Sequence, residues 1–526
     1  MTKYLLKRLI RGLISVVIVV IVVMALVYSL IDKDFIFKGD QQLIKYMNNE
    51  KVVYKYSQWE AYGYLTTYSY ADYLTDLVDS GEMTAEERTQ AVKFGQTESK
   101  DSAIVAKYVA KFKEYCKANN YTVVRLDAVM LGTSLAKGGT QKLFAYKEYS
   151  TLARVWTYFK NLIQVDSIHY VEDDDQLVGE RGLTFTWYDP AYGGKKFSPA
   201  IMGNGTEHKY LLYFDNKFPF IHQNIVKINL GTSYAVNRGV DAFQTMTQSQ
   251  GSNVQSLTHY PTGFNEESSD DLHKLTFVAD SLAKGGIFAT ERFTDNYTNV
   301  GTVKHSLSRV GFSFIIGILS SILAYLLGVP LGIMMARNKG KILDKLGTIY
   351  IVFIIAVPSL AYIFMFRALG MKMNLPGRFD IDSTSKLMYI LPIISLALPS
   401  IAGLMNWLRR YMIDQQNSDY VKFARSGGLS EREIFNKHIL KNAIIPLVHN
   451  IPGTILGAVV GAIITETVYA VPGTGRMLTE AINLYDNAVI VGLTMFYALL
   501  SVVSLILGDI LMAMVDPRIS FSDKAR

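Results

Sequence analysis

The chain is poor in charge and almost without cysteine. Only 19% of its 526 residues are Asp, Glu, Lys or Arg, where soluble domains average roughly 25%. It is therefore short of the polar surface a globular protein of this size needs. The single Cys116 rules out a disulfide scaffold. No G-x-x-x-x-G-K-[ST] loop is present to cradle ATP phosphates, and neither H-E-x-x-H nor G-x-S-x-G occurs. The eight histidines are scattered without metal-ligand spacing. No catalytic residue, metal site or cofactor is expected in this chain.

What is abundant is apolar, at 50% of residues, and it is unevenly placed. Twenty uncharged residues, 12–31, lie between Arg11 and Asp32, enough to cross ~30 Å of hydrocarbon as a helix. The run exceeds a signal-peptide core of ~7–15 residues and lacks a clear small-x-small cleavage site, so it reads as an uncleaved anchor. Five further uncharged runs follow: Val310–Ala336, Leu346–Phe366, Leu387–Leu408, Asn442–Thr465 and Asn487–Gly508. Six spans put both termini on one side. With the N-terminus inside, the inner segments carry 18 Lys and Arg and the short outer loops 5, which sets both termini in the cytoplasm. The net charge of +7 follows the same division. Residues 32–308 hold 29 Lys and Arg against 33 Asp and Glu, and the remainder holds 24 against 13. The basic excess marks membrane topology and gives no reason to expect nucleic acid.

Residues 35–305 are expected outside, as an α+β domain between the first two spans. Asp101–Asn119 has helical apolar spacing, with Ile104, Val105, Tyr108, Val109 and Phe112. Tyr121–Leu131 is β-branched, Lys147–Val165 reads as helical, and Leu183–Tyr188 and Tyr210–Phe214 read as strands flanked by Asp189-Pro190 and Asn216. Tyr54, Tyr56, Trp59, Tyr62 and Tyr64, with Tyr68, Tyr70 and Tyr73, crowd one stretch. Tyrosine gives large contact area at low entropic cost, so this is either core or a receptor-docking surface. The hexapeptide Ser-Leu-Ala-Lys-Gly-Gly at 134–139 recurs at 281–286, too short a match to establish a repeat.

The most informative stretch lies between the fourth and fifth spans. It runs Asp419-Tyr420-Val421-Lys422-Phe423-Ala424-Arg425-Ser426-Gly427-Gly428-Leu429-Ser430, with His438, Asn442 and Ala443 following. A short helix ending at a Gly pair, then a second helix entering the membrane, makes a handle for a soluble partner; a solvated basic loop is the plainer alternative. The stretch resembles the EAA loop of ABC-importer permeases, in the form used by oligopeptide and dipeptide permease subunits. Lys422 stands where the general pattern has Glu, and Asp419 lies about one turn earlier. Tyr4–Leu9, Leu230-Gly231-Thr232-Ser233, Gly328–Gly332, Glu466-Thr467-Val468, Pro472–Gly475 and Asp516-Pro517-Arg518 resemble further blocks of that family, in order. The insertion of residues 35–305 is several-fold longer than the usual family loop and is similar to the enlargement in some Gram-positive subunits.

The resemblance implies an α-helical polytopic membrane protein of the type I ABC importer permease fold, with 306–526 as its core and 411–443 as its coupling loop. It implies a plasma-membrane permease subunit of an ATP-driven oligopeptide importer, forming half of the pathway. The implied partners are a second homologous permease, two cytoplasmic ATPases that bind ATP and Mg, an extracellular lipid-anchored peptide-binding protein, and peptide. The coupling residues it implies are Asp419, Tyr420, Ala424, Arg425, Gly428, Leu429 and Ser430; it names no pathway-lining residue. A non-transporting peptide sensor or scaffold, or a membrane-tethered external enzyme, would share the topology, but the second lacks a nucleophile or metal constellation. His449 inside a span is either a functional polar group or a neutral hydrogen-bonded residue near Pro446 and Pro452. His438 reads as packing or capping, and the acidic run 172–175 as a solvated turn without a calcium-loop pattern. Cys116 reads as a small buried apolar residue, and the sequons at Asn120, Asn204 and Asn296 as chance.

Overall fold

Long apolar runs become long helices, because the bilayer offers backbone groups no other partners. In the computed structural model, which describes residues 2–128, 130–131, 134–135, 141–215 and 220–515, five helices are long and apolar enough to cross a membrane. They include Thr2–Leu30, Arg309–Arg337, Ile390–Gln416, Lys441–Gly461 and Asn487–Val515. The expected third span differs. It forms two helices, Ile342–Ala356 and Ser359–Lys372, bent by 112° at their junction. Pro358 causes the break: it lacks the amide donor and biases Val357 to extended backbone, φ −86° and ψ 129°. The Asp516-Pro517-Arg518 block, Asn216 and most of the first hexapeptide lie outside the described residues.

Glycines line the crossing of the second and fourth spans. Gly328 and Gly332 lie on one face of Arg309–Arg337, where an added Cβ would stand 3.0 Å from Leu404 and 3.2 Å from Leu408 and Met405. Small residues let helix backbones approach where lipid gives no hydrophobic drive. The first and last spans run side by side: Gly12 lies against Val502, and Arg8 pairs with Asp509 near the opposite chain end.

The inserted domain is α+β. A three-stranded antiparallel sheet places Lys142–Glu148 between Leu65–Ser69 and Thr122–Leu126. Helices Tyr70–Asp79 and Ala103–Ala118 pack with it around Leu74, Val105, Phe112 and the buried Cys116. Burial pushes the Cys116 thiol up to about 11, as suits an inert core residue. A four-stranded antiparallel sheet includes Gly182–Thr186 and Tyr210–Phe214. The expected helix over 147–165 is shorter. Lys142–Glu148 is a central strand, Ser150 caps helix Thr151–Asn161 by accepting from Ala153 N, and Ile163–Val165 is a strand paired with Val226–Ile228.

The tyrosine-rich stretch packs inward for the most part, in keeping with the core alternative. Trp59 and Tyr64 are buried and Tyr54, Tyr56 and Tyr62 half-buried, around Ile36, Phe37, Leu65 and Tyr234. Helix Asn48–Ala61 and strand Leu65–Ser69 fold the alternating rings onto one another, with Tyr56 edge-on to Trp59 at 5.0 Å. The cluster also ties the domain to the last span: Asn487 Nδ2 donates to the Tyr64 hydroxyl at 2.8 Å, and Asn487 N to that of Tyr234 at 2.7 Å.

Candidate functional site

The Gly-pair loop is built as two helices braced across a turn. Helix Asp419–Ser426 follows Ser418, and its C-cap is Gly427. Gly428 then adopts φ +85°, with nothing within 4 Å of where its Cβ would stand. Backbone conformation alone demands glycine there; crowding does not. Ser430 restarts the chain with a capping box: its hydroxyl accepts from Glu433 N, and the Glu433 carboxylate reaches back to Ser430 N. Arg425 spans the turn, its Nε 2.5 Å and Nη2 3.1 Å from the two oxygens of Glu431. This fork holds the helices in one orientation.

One face of the loop is packed into the membrane core. Val421, Ala424, Ile434, Phe435 and Ile439 are buried with Leu408, Met412, Ala336 and Leu447, from three different spans. The Arg337 guanidinium lies 4.6 Å from the Phe435 ring centroid. Residues Ile434–Leu440 form a π-helix leading into Lys441–Gly461; such wide turns are uncommon and frequently mark functional sites. His438 packs on Tyr420, ring centroids 6.5 Å apart, and the Tyr420 hydroxyl donates to Gln415 Oε1 at 2.7 Å. A push on the loop therefore reaches the second, fourth and fifth spans through direct contact.

The opposite face is open. Asp419 is exposed and pairs with Lys422 at 2.9 Å, which holds its carboxyl below the ordinary range. Lys422 thus engages the nearest carboxylate of its own helix. Arg425 and Ser430 are also exposed, Tyr420 and Leu429 marginally so, while Ala424 belongs to the buried face. Phe423, absent from the residues singled out by sequence, is 80% exposed. Its signal was available: with Val421 and Ala424 three apart on the buried face, an apolar Phe423 falls out of phase.

Three of the other resembling blocks, Leu230–Ser233, Glu466–Val468 and Pro472–Gly475, lie at the far end of the helices. Glu466 is fully buried, accepting from the Ser313 hydroxyl at 2.6 Å and Arg476 N at 2.9 Å. It thereby joins the Glu466–Val468 and Pro472–Gly475 blocks to the second span. The Leu230–Ser233 block docks on the start of the last span, where Asp486 accepts from the Ser233 hydroxyl at 2.7 Å and from Ala235 N and Val236 N at 3.0 Å. Sequence reasoning missed Asp486, which carries no motif. His449 lies beside Gly508, and its buried Nδ1 has no hydrogen-bond partner among the described residues.

Comparison with known proteins agrees with this arrangement. The family described as Binding-protein-dependent transport system inner membrane component matches residues 328–521. The Oligopeptide transport system permease protein AmiC of Streptococcus pneumoniae serotype 4 is 34% identical over 527 residues, covering 100% of this chain and 99% of that one. The Dipeptide transport system permease protein DppB of Lactococcus lactis subsp. cremoris is 33% identical over 241 residues, 44% of this chain and 78% of that one. The first likeness runs through the inserted domain as well as the spans. The chain belongs to the family of binding-protein-dependent transport system inner membrane components, the membrane-spanning permeases of ABC importers.

Proposed function

We propose that this chain is the permease subunit of an ATP-driven oligopeptide importer in the cell membrane, with both termini cytoplasmic and residues 35–305 outside. The observation that carries the reading is the match to AmiC, an oligopeptide permease by name, over the whole of both chains. The braced loop supports it: one face is packed into three spans and the other offers Phe423, Asp419, Tyr420 and Arg425. A second permease completes the pathway, and two cytoplasmic ATPases supply nucleotide and Mg. ATPase closure shifts the permease between inward- and outward-open states because it fits one better. A lipid-anchored peptide-binding protein delivers peptide from outside. The tyrosines at 54–64 serve that delivery indirectly, by fixing the domain on the last span. Deleting the gene should abolish uptake of a labelled oligopeptide, and the wild-type chain should restore it. Undiminished uptake in the deletion strain, with no second such permease encoded, would overturn the assignment.

A further inference from the structure

Helix Thr151–Asn161 has three differently clad faces. Val155 is buried against Val20 and Met24 of the first span and Val491 of the last, with Tyr158 and Phe159 beside them. Arg154 lies 5.0 Å from the Tyr28 ring centroid, and the Tyr158 hydroxyl reaches Met495 Sδ at 3.5 Å. A second face, including Thr157 and Asn161, lines a polar cavity with Glu60, Tyr62 and Asn229. The third is apolar and uncovered: Leu152 is 78% and Trp156 73% exposed, four residues apart and so on one stripe. The following strand continues it with Ile163 and Val165, 63% and 66% exposed, and its partner strand adds Val226.

The depth of this stripe decides what covers it. Met495 lies eight residues into the last span from Asn487, about 12 Å along a helix axis. Met24 lies seven residues from the end of the uncharged run at Ile31, about 10 Å. The helix therefore sits below the level where the spans leave the hydrocarbon, against a first span whose Val19, Val22 and Leu26 are exposed at similar depth. A soluble partner has no access at that depth, and water would meet unpaired apolar surface. We infer that Thr151–Asn161 is a membrane-embedded amphipathic helix of the inserted domain, its Leu152–Trp156 stripe resting against the acyl chains of the outer leaflet. Amphipathic helices lie about 5–10 Å into that boundary, tryptophan favours it, and the exposed Lys160 can extend to the headgroups. The domain is thus held by the bilayer as well as by the spans. This rests on the membrane orientation given above, not on the transported substrate.

The test labels Trp156→Cys and, separately, Leu152→Cys in the full complex with a bilayer-permeant fluorescent thiol reagent, in liposomes containing acyl-chain nitroxide lipid. Val22→Cys is the lipid reference, Ser99→Cys the aqueous one, and the unsubstituted chain the blank for buried Cys116. Nitroxide lipid should quench both variants as it quenches Val22→Cys, and a membrane-impermeant thiol reagent should label them about tenfold more slowly than Ser99→Cys. Labelling at the Ser99→Cys rate would overturn the inference in favour of water. Protection without quenching would overturn it in favour of a protein cover. Val22→Cys reports on the spans whatever the substrate, so failure here is separable from failure of the transport reading.

Discussion

The coupling loop and the inserted domain are fixed to the spans by different means. At the loop end the coupling loop itself is held by apolar contacts, with Val421, Ala424, Ile434 and Ile439 set among Leu408, Met412 and Leu447, while the ion pairs Arg409–Asp344 and Arg8–Asp509 tie the spans to one another. At the far end the contacts are polar and directional. Asp486 takes three donors from the Ser233–Val236 turn, and Asn487 engages Tyr64 and Tyr234. Apolar packing transmits force yet permits small sliding adjustments, whereas buried hydrogen bonds lose most of their value on slight displacement. The loop end is suited to move with a partner, and the far end to hold the inserted domain in a fixed pose.

Removing the polar end should cost most. Asp486→Ala leaves the Ser233 hydroxyl and two backbone N–H groups buried without an acceptor, at ~1–3 kcal/mol each where no water enters. Thermal unfolding of the purified complex should fall by several degrees, and protease should cut the inserted domain faster. Asp486→Asn, keeping one acceptor oxygen, should lie between. An unchanged melting profile would mean that the far end is not fixed by this carboxylate. At the loop end, Gly428→Val forces a β-branched residue to φ +85°, a strain of ~1–3 kcal/mol. Peptide uptake should drop roughly tenfold while membrane insertion stays normal, and Gly428→Asn, which tolerates that backbone, should be milder. Equal uptake by both variants would separate the turn from coupling.

Phe423 sharpens the comparison, because it belongs to neither grip. Exposed as it is, Phe423→Ala should change stability by less than ~0.5 kcal/mol. Loss of an aromatic anchor should still weaken co-purification of the ATPases about tenfold. Equal retention of the ATPases on wild-type and variant chains would place the contact elsewhere on the loop.

The spans were legible because hydrocarbon imposes one simple demand, a run of about twenty uncharged residues. Even there Val357-Pro358 escapes a reading by apolar run length, since membrane helices commonly tolerate proline, whereas this one breaks the span into two helices bent by 112°. The loop was legible from its Gly pair and from the family's pattern, but Phe423 required attention to helical phase. The inserted domain was less so. Its core strand Lys142–Glu148 merges in sequence with the helix after it, and Ser150 is the only local mark of the boundary. Whether the tyrosines at 54–64 are surface or core depends on Phe37, Phe144 and Tyr234, partners distant in the chain. Asp486 and the buried stack around His273 were invisible for the same reason.

That stack yields the smallest expected effect and the one most specific to the inserted domain. His273 is buried, with Nε2 2.6 Å from Asp189 and Nδ1 3.5 Å from Asp271, and its ring lies flat on Tyr213 at 4.1 Å. Burial works against its charge, but hydrogen bonds to the two carboxylates outweigh it and carry the imidazole up to about 9. Lys274, 3.7 Å from Asp271, helps hold that carboxyl low. Tyr192 and Tyr213 are pushed up by burial and stay protonated across the interval that matters. The folded value lies above the ordinary 6.5, so the stabilisation is complete below about pH 6.5. It declines as pH rises through about 9, where the folded form also gives up the proton. Melting of the inserted domain, followed by proteolysis within 35–305, should drop by a few degrees between pH 6.5 and pH 9.5. His273→Gln should start lower and lose that slope. The loop end has no buried imidazolium between two carboxylates among the described residues, so ATPase retention should stay level over the same interval. If wild type and His273→Gln decline in parallel, the pH dependence arises elsewhere and the stack is neutral packing.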